Sequence, residues 1–335
     1  MKKPCEPASA IIIFLIGVSI VACNKSGTVQ TVPSTPGPVI ISAALKPVIM
    51  DMGTAYWRGL QGGLYPDGLN TRPAAHNNAG LQIASQIKPL DVNGNYDPVN
   101  GKIVWLSVGM SNCTQEAQEF ILLANAWPNK NAKLILVDGA QGGWDIDLMN
   151  DPAAAFWTTI NNRLAFQGLS AKQVQAIWFK NADKGPTDTT FTTYCSNFKN
   201  KLKSSMNLLQ SKFVNSKLCY LSSRIYGGYA ASGTLQPEPF AYYTGWAVKQ
   251  LIEDQINGDT GLTYSGASPK SPWLSWGAYI WAEGATPRAD GLKWIFPDDY
   301  QTDATHPSIA GRQKVANLLF QFFTTDATTI PWFKQ

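Results

Sequence analysis

The stretch Lys102-Ile-Val-Trp-Leu-Ser-Val108 decides the fold class, because this short apolar run ends at once in the turn-forming segment Gly109-Met-Ser-Asn112. Short apolar runs bounded by turn residues are typical of buried strands. Three similar runs follow at 133–137, 176–179 and 217–222, and we expect a fifth strand at 276–281. Segments of helical length lie between or beside them at 114–126, 152–167, 188–213 and 238–257. This alternation predicts a three-layer α/β/α sandwich around a parallel, flavodoxin-like sheet.

The composition favours one large folded domain. Charged residues make up 15% of the chain and hydrophobic residues 44%, so a sizeable core is expected. The net charge of +4 is too small to indicate a nucleic-acid partner. We therefore expect residues 46–335 to form the domain, with 46–100 as an N-terminal lobe of ordered loops, because Gly62–Pro73 is rich in turn formers.

The N-terminus is predicted to direct export. Two lysines precede the apolar run at 10–22, and Ile20-Val21-Ala22-Cys23 resembles the bacterial lipobox. This pattern predicts a signal peptide at 1–22, a lipid on Cys23 and a flexible tether at 23–45. The expected location is the bacterial cell envelope, with the protein lipid-anchored to a membrane and periplasmic or surface-exposed. A plain secretory signal and an uncleaved anchor are the alternatives.

The remaining cysteines and the two histidines bound the chemistry. Cys113, Cys195 and Cys219 allow at most one intrachain disulfide, and a Cys195–Cys219 pair is preferred because Cys113 lies in a segment assigned to chemistry. His76 and His306 are far apart in sequence, and no cysteine spacing accompanies them. We therefore expect neither a metal site nor a cofactor.

Candidate reactive residues follow the predicted strands. Ser111 follows the first strand, Gly142 and Gly143 follow the second, and Asn181 follows the third. In a doubly wound sheet such positions share the ligand-binding edge. Asp303-Ala-Thr-His306 places an acid three residues before a histidine, the side chain best suited to proton transfer near neutral pH. Pro307-Ser308 behind it fits the start of a terminal helix.

These blocks together resemble the SGNH (GDSL-like) hydrolase superfamily over residues 102–323, whose name lists a Ser, Gly, Asn and His in four ordered blocks. The resemblance implies that Ser111 is the nucleophile, His306 its base and Asp303 the residue that orients the imidazole. It also implies an oxyanion hole made by the Ser111 N–H, the Gly143 N–H and the Asn181 side-chain amide. Gly142 is an alternative donor to Gly143.

The chain departs from the superfamily pattern in two blocks. Met110 occupies the position where many relatives carry the aspartate of Gly-Asp-Ser, and Phe179-Lys-Asn181-Ala-Asp183 replaces the usual Gly-x-Asn-Asp. Met110 removes an acid that is not among the four named catalytic groups. The resemblance thus implies a serine esterase that works through an acyl-enzyme, and the N-terminal signal predicts that it is exported. An O-acylated carbohydrate is the suggested substrate, because of the exported location, the tryptophans in predicted loops and the analogy with relatives. The alternative is a noncatalytic glycan-binding lipoprotein on the same fold.

Ordinary structural roles are open for several of these residues. Ser111 could cap a helix starting near 112, Gly142–Gly143 could form only a tight turn, and Asn181 could be a turn residue. His76 could be structural or could contact substrate. Asp298 or Asp299 could orient His306 instead of Asp303. Five tryptophans in loop-like contexts could either pack in the core or stack on a sugar ring: Trp57, Trp144, Trp273, Trp276 and Trp294.

Overall fold

The structure is a computed structural model that describes residues 37–231 and 234–335. The predicted signal peptide at 1–22, Cys23 and the tether up to residue 36 lie outside the described residues. Within the two described ranges, none of the helices combines the length and the hydrophobicity that a membrane span requires.

The N-terminal lobe contains more regular structure than loops alone. Strands β2 (Tyr56–Trp57) and β3 (Leu60–Gln61) of the lobe pair antiparallel. Strand β1 (Ile40–Ile41) lies within the predicted tether and pairs parallel with β2, so regular structure begins before residue 46. Helix α1 (Ala74–Ala84) follows. Trp57 and Ile49 of this lobe belong to the same hydrophobic cluster as the main domain, so the lobe packs on it directly.

The central sheet has five strands: β4 (Ile103–Gly109), β5 (Leu134–Asp138), β6 (Val174–Lys180), β7 (Leu218–Leu221) and β8 (Trp273–Trp276). Their order is β5-β4-β6-β7-β8 and every neighbouring pair is parallel. This is the flavodoxin-like order 2-1-3-4-5, which confirms the predicted fold class. The fifth strand begins three residues before the predicted 276–281.

Helices cover both faces of the sheet. The hydrophobic cluster on one face includes residues of α4 (Ala155–Phe166), α5 (Phe191–Lys212) and α6 (Phe240–Ile256). The cluster on the other face includes residues of α2 (Ser111–Ala126), α7 (Ile309–Thr325) and α8 (Ile330–Phe333). A short helix α3 (Ile146–Met149) connects β5 to α4. The result is the predicted three-layer sandwich.

The preferred disulfide is wrong. Cys113, Cys195 and Cys219 are all buried free thiols in the described chain. The Cys195 thiol lies 3.6 Å from the carbonyl oxygen of Tyr243 and is therefore directed at α6, whereas Cys219 lies on β7. Burial raises the pKa of both thiols well above the ordinary cysteine value, which is the behaviour of inert core cysteines.

Candidate active site

Ser111 lies at the junction between β4 and α2. The preceding Gly109 must be a glycine, because a Cβ there would lie 2.0 Å from the carbonyl oxygen of Lys180 on β6. Met110 is extended and occupies the N-cap position, and Ser111 is the first helical residue. The Ser111 hydroxyl makes a 2.8 Å hydrogen bond with Nε2 of His306. Its side chain is thus engaged with the histidine and does not cap the helix.

The loop that carries His306 is held by its own polar groups. Oδ1 of Asp303 accepts hydrogen bonds from the backbone N–H groups of Thr305 and His306 at 3.0 and 2.9 Å. Ser308 caps α7, as its hydroxyl accepts from the Gly311 N–H at 3.2 Å. The side-chain amide of Asn112 donates to the Thr305 carbonyl at 3.0 Å and ties this loop to α2.

Asp303 and His306 form the second link of a hydrogen-bonded chain. Oδ2 of Asp303 lies 2.5 Å from Nδ1 of His306. A neutral imidazole that donates from Nδ1 to a carboxylate leaves Nε2 as an acceptor, which is the state needed to take a proton from the Ser111 hydroxyl. Asp303 is therefore the acid that faces the imidazole. Asp299 is occupied elsewhere, because its Oδ2 accepts from Lys314 Nζ at 2.5 Å.

The charge state of Asp303 suits this arrangement. Partial burial alone would raise its pKa, but the hydrogen bonds from the His306 and Thr305 N–H groups and from the His306 ring outweigh that effect and lower the pKa below the ordinary value. The carboxylate is thus ionised at neutral pH. The side chains of His306 and Asp303 are 19% and 47% exposed, so a substrate can approach the pair from solvent.

The turn after β5 approaches Ser111. A Cβ added to Gly142 would lie 3.7 Å from the Ser111 Cβ, so this turn approaches the nucleophile closely. Gly143 has a φ of +84°, a conformation that favours glycine. Within the described chain, the N–H groups of Ser111, Gly142 and Gly143 donate to no protein acceptor. The start of α2 also carries the positive end of the helix dipole, which favours negative charge at this point.

Asn181 lies outside the Ser111–His306–Asp303 chain of hydrogen bonds. Its side-chain nitrogen is 3.3 Å from the carbonyl oxygen of Trp144 and 3.4 Å from Sδ of Met149. Its side-chain oxygen accepts from the Ala182 N–H at 2.8 Å, as in a turn. The contact with the Trp144 oxygen is long for an N–H···O hydrogen bond, whereas the contact with Met149 is of ordinary length for sulfur. The described hydrogen bonds therefore join three of the four predicted side chains and leave Asn181 bonded to the turn after β5.

A buried charge cluster beside Asn181 was not predicted. Lys180 Nζ bonds the carboxylate of Glu116 on α2 at 2.5 Å, with the two side chains 1% and 0% exposed. Burial lowers the pKa of Lys180 to about 8 and raises that of Glu116, while each charge opposes the shift of the other. The nearby charge of Arg224 acts on both groups. We call Glu116, Lys180 and Arg224 the buried charge cluster.

The second histidine is structural. His76 on α1 is 4% exposed, its Nε2 lies 2.8 Å from the Leu274 carbonyl oxygen, and its ring stacks on Trp273 at 4.7 Å. Burial lowers its pKa. Among the five tryptophans singled out from the sequence, four are core residues: Trp57, Trp273, Trp276 and Trp294. Trp144 is only partly buried and follows Gly143 directly, so it alone of the five stays available beside the site.

Comparisons with known proteins give a likeness of overall fold. No family model and no curated protein matches the sequence. Several solved structures are similar to the structure. A Clostridium thermocellum family 3 carbohydrate esterase is 13% identical, covers 68% of this chain and 97% of its own, and has a TM-score of 0.39. A GDSL-like lipase from Bacteroides thetaiotaomicron is 8% identical, with 73% and 95% covered and a TM-score of 0.35.

Proposed function

We propose that this chain is a serine esterase of the SGNH type that cleaves its substrate through an acyl-enzyme. One observation carries the proposal: the Ser111 hydroxyl is 2.8 Å from His306 Nε2, and His306 Nδ1 is 2.5 Å from Asp303. A serine hydroxyl is a weak nucleophile until a neighbouring base removes its proton, and that base needs a fixed tautomer. These contacts meet both requirements, and they join residues 195 positions apart in the chain.

The reaction follows from the proton positions. Ser111 Oγ attacks the ester carbonyl while its proton passes to His306 Nε2. The oxyanion that forms accepts hydrogen bonds from the Ser111 N–H and from Gly142 or Gly143, and Asn181 joins them if its amide exchanges its long contact with Trp144. His306 then gives its proton to the leaving alcohol. In the second half, water gives a proton to His306 as it attacks the acyl-enzyme, and His306 then returns that proton to Ser111 Oγ as the bond between Oγ and the acyl carbon breaks and the acid leaves.

The finer parts of the proposal concern substrate and location. An O-acylated carbohydrate is supported by the partly exposed Trp144 beside the candidate oxyanion turn, since aromatic faces pack against sugar rings. A lipid-anchored protein of the cell envelope is supported by the lysines, the apolar run and Cys23 at the N-terminus. Expression in a bacterium tests the anchor: wild type should be lipidated in the membrane fraction, and Cys23→Ser should not. A full-length, unmodified cytosolic product would contradict it.

Hydrolysis of p-nitrophenyl acetate by the purified protein tests the activity. Wild type should turn over, and Ser111→Ala should lose about 10⁴-fold or more of kcat/KM while its melting temperature stays close to that of wild type. Ser204→Ala is a matched control, because Ser204 is exposed on α5 and its hydroxyl donates to the Asn200 carbonyl of the same helix. A folded wild type that binds glycans without hydrolysing any ester would favour the noncatalytic alternative.

A further inference from the structure

We propose that Asp138 is a positioning residue for the oxyanion hole, because its carboxylate fixes the turn after β5 against the strand and the helix on either side of Ser111. The inference rests on the proposed function and deepens it. Gly142 and Gly143, the candidate donors, belong to this turn. Asp138 is the last residue of β5, and its side chain is 13% exposed. Its described hydrogen-bond partners include neither Ser111 nor His306, so it acts on the reaction through the turn.

The Asp138 carboxylate joins three parts of the chain. Its Oδ1 accepts from the hydroxyl of Ser107 on β4 at 2.7 Å and from the Ala140 N–H in the turn at 3.1 Å. Its Oδ2 accepts from the hydroxyl of Thr114 on α2. Ser107 comes four residues before Ser111, and Thr114 comes three residues after it and is its neighbour on the helix surface. One side chain therefore sets the turn against both elements that flank the nucleophile.

Other hydrogen bonds hold the backbone of the turn. The Gln141 N–H donates to the carbonyl oxygen of Gly109, at the end of β4, at 2.9 Å. Nη1 of Arg163 on α4 donates to the carbonyl oxygens of Asp138 and Ala140 at 2.7 and 2.9 Å. These contacts do not involve the Asp138 carboxylate and remain when it is removed. Its loss should therefore shift the turn relative to α2 rather than unfold it.

Preorganisation explains why an anchor that touches no reacting atom affects the rate. Oxyanion donors are effective because they already lie where the charge develops, and a displacement of about 1 Å can lower a rate about 10²-fold. Without the carboxylate, the turn can move relative to Ser111 although its donors are still present. The loss should therefore be smaller than the loss of about 10²–10³-fold that follows removal of a donor itself. We expect about tenfold.

Hydrolysis of p-nitrophenyl acetate and inhibition by phenylboronic acid test the inference together. Ser111 Oγ adds to the boron while its proton passes to His306, and the resulting tetrahedral boronate anion mimics the oxyanion intermediate. Asp138→Ala should lower kcat/KM about tenfold and raise the inhibition constant by a similar factor. Asp138→Asn keeps an oxygen that can accept from Ser107 and Ala140, so both constants should stay within about threefold of wild type.

The inhibition constant separates positioning from a general loss of stability. A smaller folded fraction lowers the measured turnover, but it does not change the affinity of the sites that remain folded. Asp326→Ala is the matched control, because the Asp326 carboxylate is 18% exposed and accepts from Arg72 and Thr328 at the C-terminal end of α7. It should lower the melting temperature and leave the inhibition constant and the kcat/KM of the folded fraction at their wild-type values.

Thr114→Val removes only the contact with α2, and it keeps the inference testable if Asp138→Ala does not fold. It should lower kcat/KM and raise the inhibition constant about threefold each. Wild-type constants in a folded Asp138→Ala or in Thr114→Val would overturn the inference. So would a fall in kcat/KM without a change in the inhibition constant, or an Asp138→Asn variant as impaired as Asp138→Ala. If wild type neither hydrolyses the ester nor binds the boronic acid, the proposed function itself fails.

Discussion

Helix α2 contributes to two polar networks that differ mainly in their access to water. Ser111, at its first position, bonds His306, whose side chain is 19% exposed. Glu116, about one and a half turns later, bonds Lys180, and this pair is inaccessible to solvent. Both networks lie at the carboxyl end of the sheet. One ends in a hydroxyl that a substrate can reach, and the other joins α2 to the end of β6.

At this edge of the sheet, the network that water reaches carries the proposed chemistry, and the buried network holds the structural elements in position. A buried ion pair gains little net stability, yet the loss of one partner leaves an uncompensated charge in the core. The buried charge cluster therefore constrains the distance between α2 and the segment that carries Asn181. The triad residues, being partly solvated, can be changed at a smaller structural cost. Activity and stability should respond oppositely to substitutions in the two networks.

Replacement of the base should have the largest effect. His306→Ala is expected to lower kcat/KM for p-nitrophenyl acetate by about 10⁴-fold or more, because the Ser111 proton loses its acceptor, with little change in melting temperature. His76→Ala is the matched control, since that histidine is buried against Trp273. It should lower the melting temperature and leave turnover of the folded fraction intact. A loss of stability in His306→Ala together with a loss of activity in His76→Ala would contradict the roles given to the two histidines.

Changes in the buried charge cluster should mainly affect stability. Glu116→Gln leaves the charges of Lys180 and Arg224 without their anion, and we expect a loss of about 3–5 kcal/mol in the free energy of unfolding. Lys180→Met should cost less, because the charge of Arg224 remains near Glu116. Urea denaturation of both variants measures the difference. Equal losses of unfolding free energy in the two variants, or a loss below about 1 kcal/mol for Glu116→Gln, would show that the cluster does not fix α2 against the end of β6.

Asn181 follows Lys180 in sequence, and its substitution tests whether it acts with the catalytic network or only in the structure of the turn. If its amide donates to the oxyanion, Asn181→Ala should lower kcat about 10²–10³-fold with little change in KM or in melting temperature. This is the expected result, because the contact of the amide nitrogen with the Trp144 carbonyl oxygen, at 3.3 Å, is long enough to be exchanged for the oxyanion. A lower melting temperature with unchanged kcat would make Asn181 a turn residue and weaken the resemblance to the superfamily.

The smallest effect should come from the support of the His306 loop. Ser308→Ala removes the N-cap of α7 and should lower the free energy of unfolding by about 1 kcal/mol. Calorimetry and the kcat of the same preparation separate the two consequences. A fall in kcat much larger than the loss of stability would mean that the cap also positions His306.

The strands could be predicted from the sequence where an apolar run ends in turn residues. The bounds of the fifth strand and the presence of helix α1 could not. The fifth strand was placed too late because burial continues from Ser271 to Ala282, and the apolar pattern does not change where β8 ends at Trp276. Helix α1 was missed because its buried positions are His76, Gly80 and Ala84, which make no apolar stripe. Gly80 is small because a Cβ there would lie 2.4 Å from the Trp273 ring.

The site was predictable only in part, because some of its residues belong to no local sequence pattern. Ser111, His306 and Asp303 were found because each occupies a recognisable block, and the hydrogen bonds bring all three together. The Glu116–Lys180 pair spans 64 positions and has no local pattern, because a lysine in a strand and a glutamate in a helix normally face water. They come into contact because β4 pairs with β6 through Gly109 and Lys180, and α2 begins two residues after Gly109.

Mass spectrometry of the protein after treatment with a fluorophosphonate tests the central claim most directly, because this probe reacts much faster with a serine activated by a neighbouring base than with an ordinary serine. Wild type should gain one adduct, mapped to Ser111, and His306→Ala should react far more slowly. Ser111→Ala should gain none while it remains folded. An adduct on another serine, or equal labelling of wild type and Ser111→Ala, would contradict the assignment of Ser111 as the nucleophile.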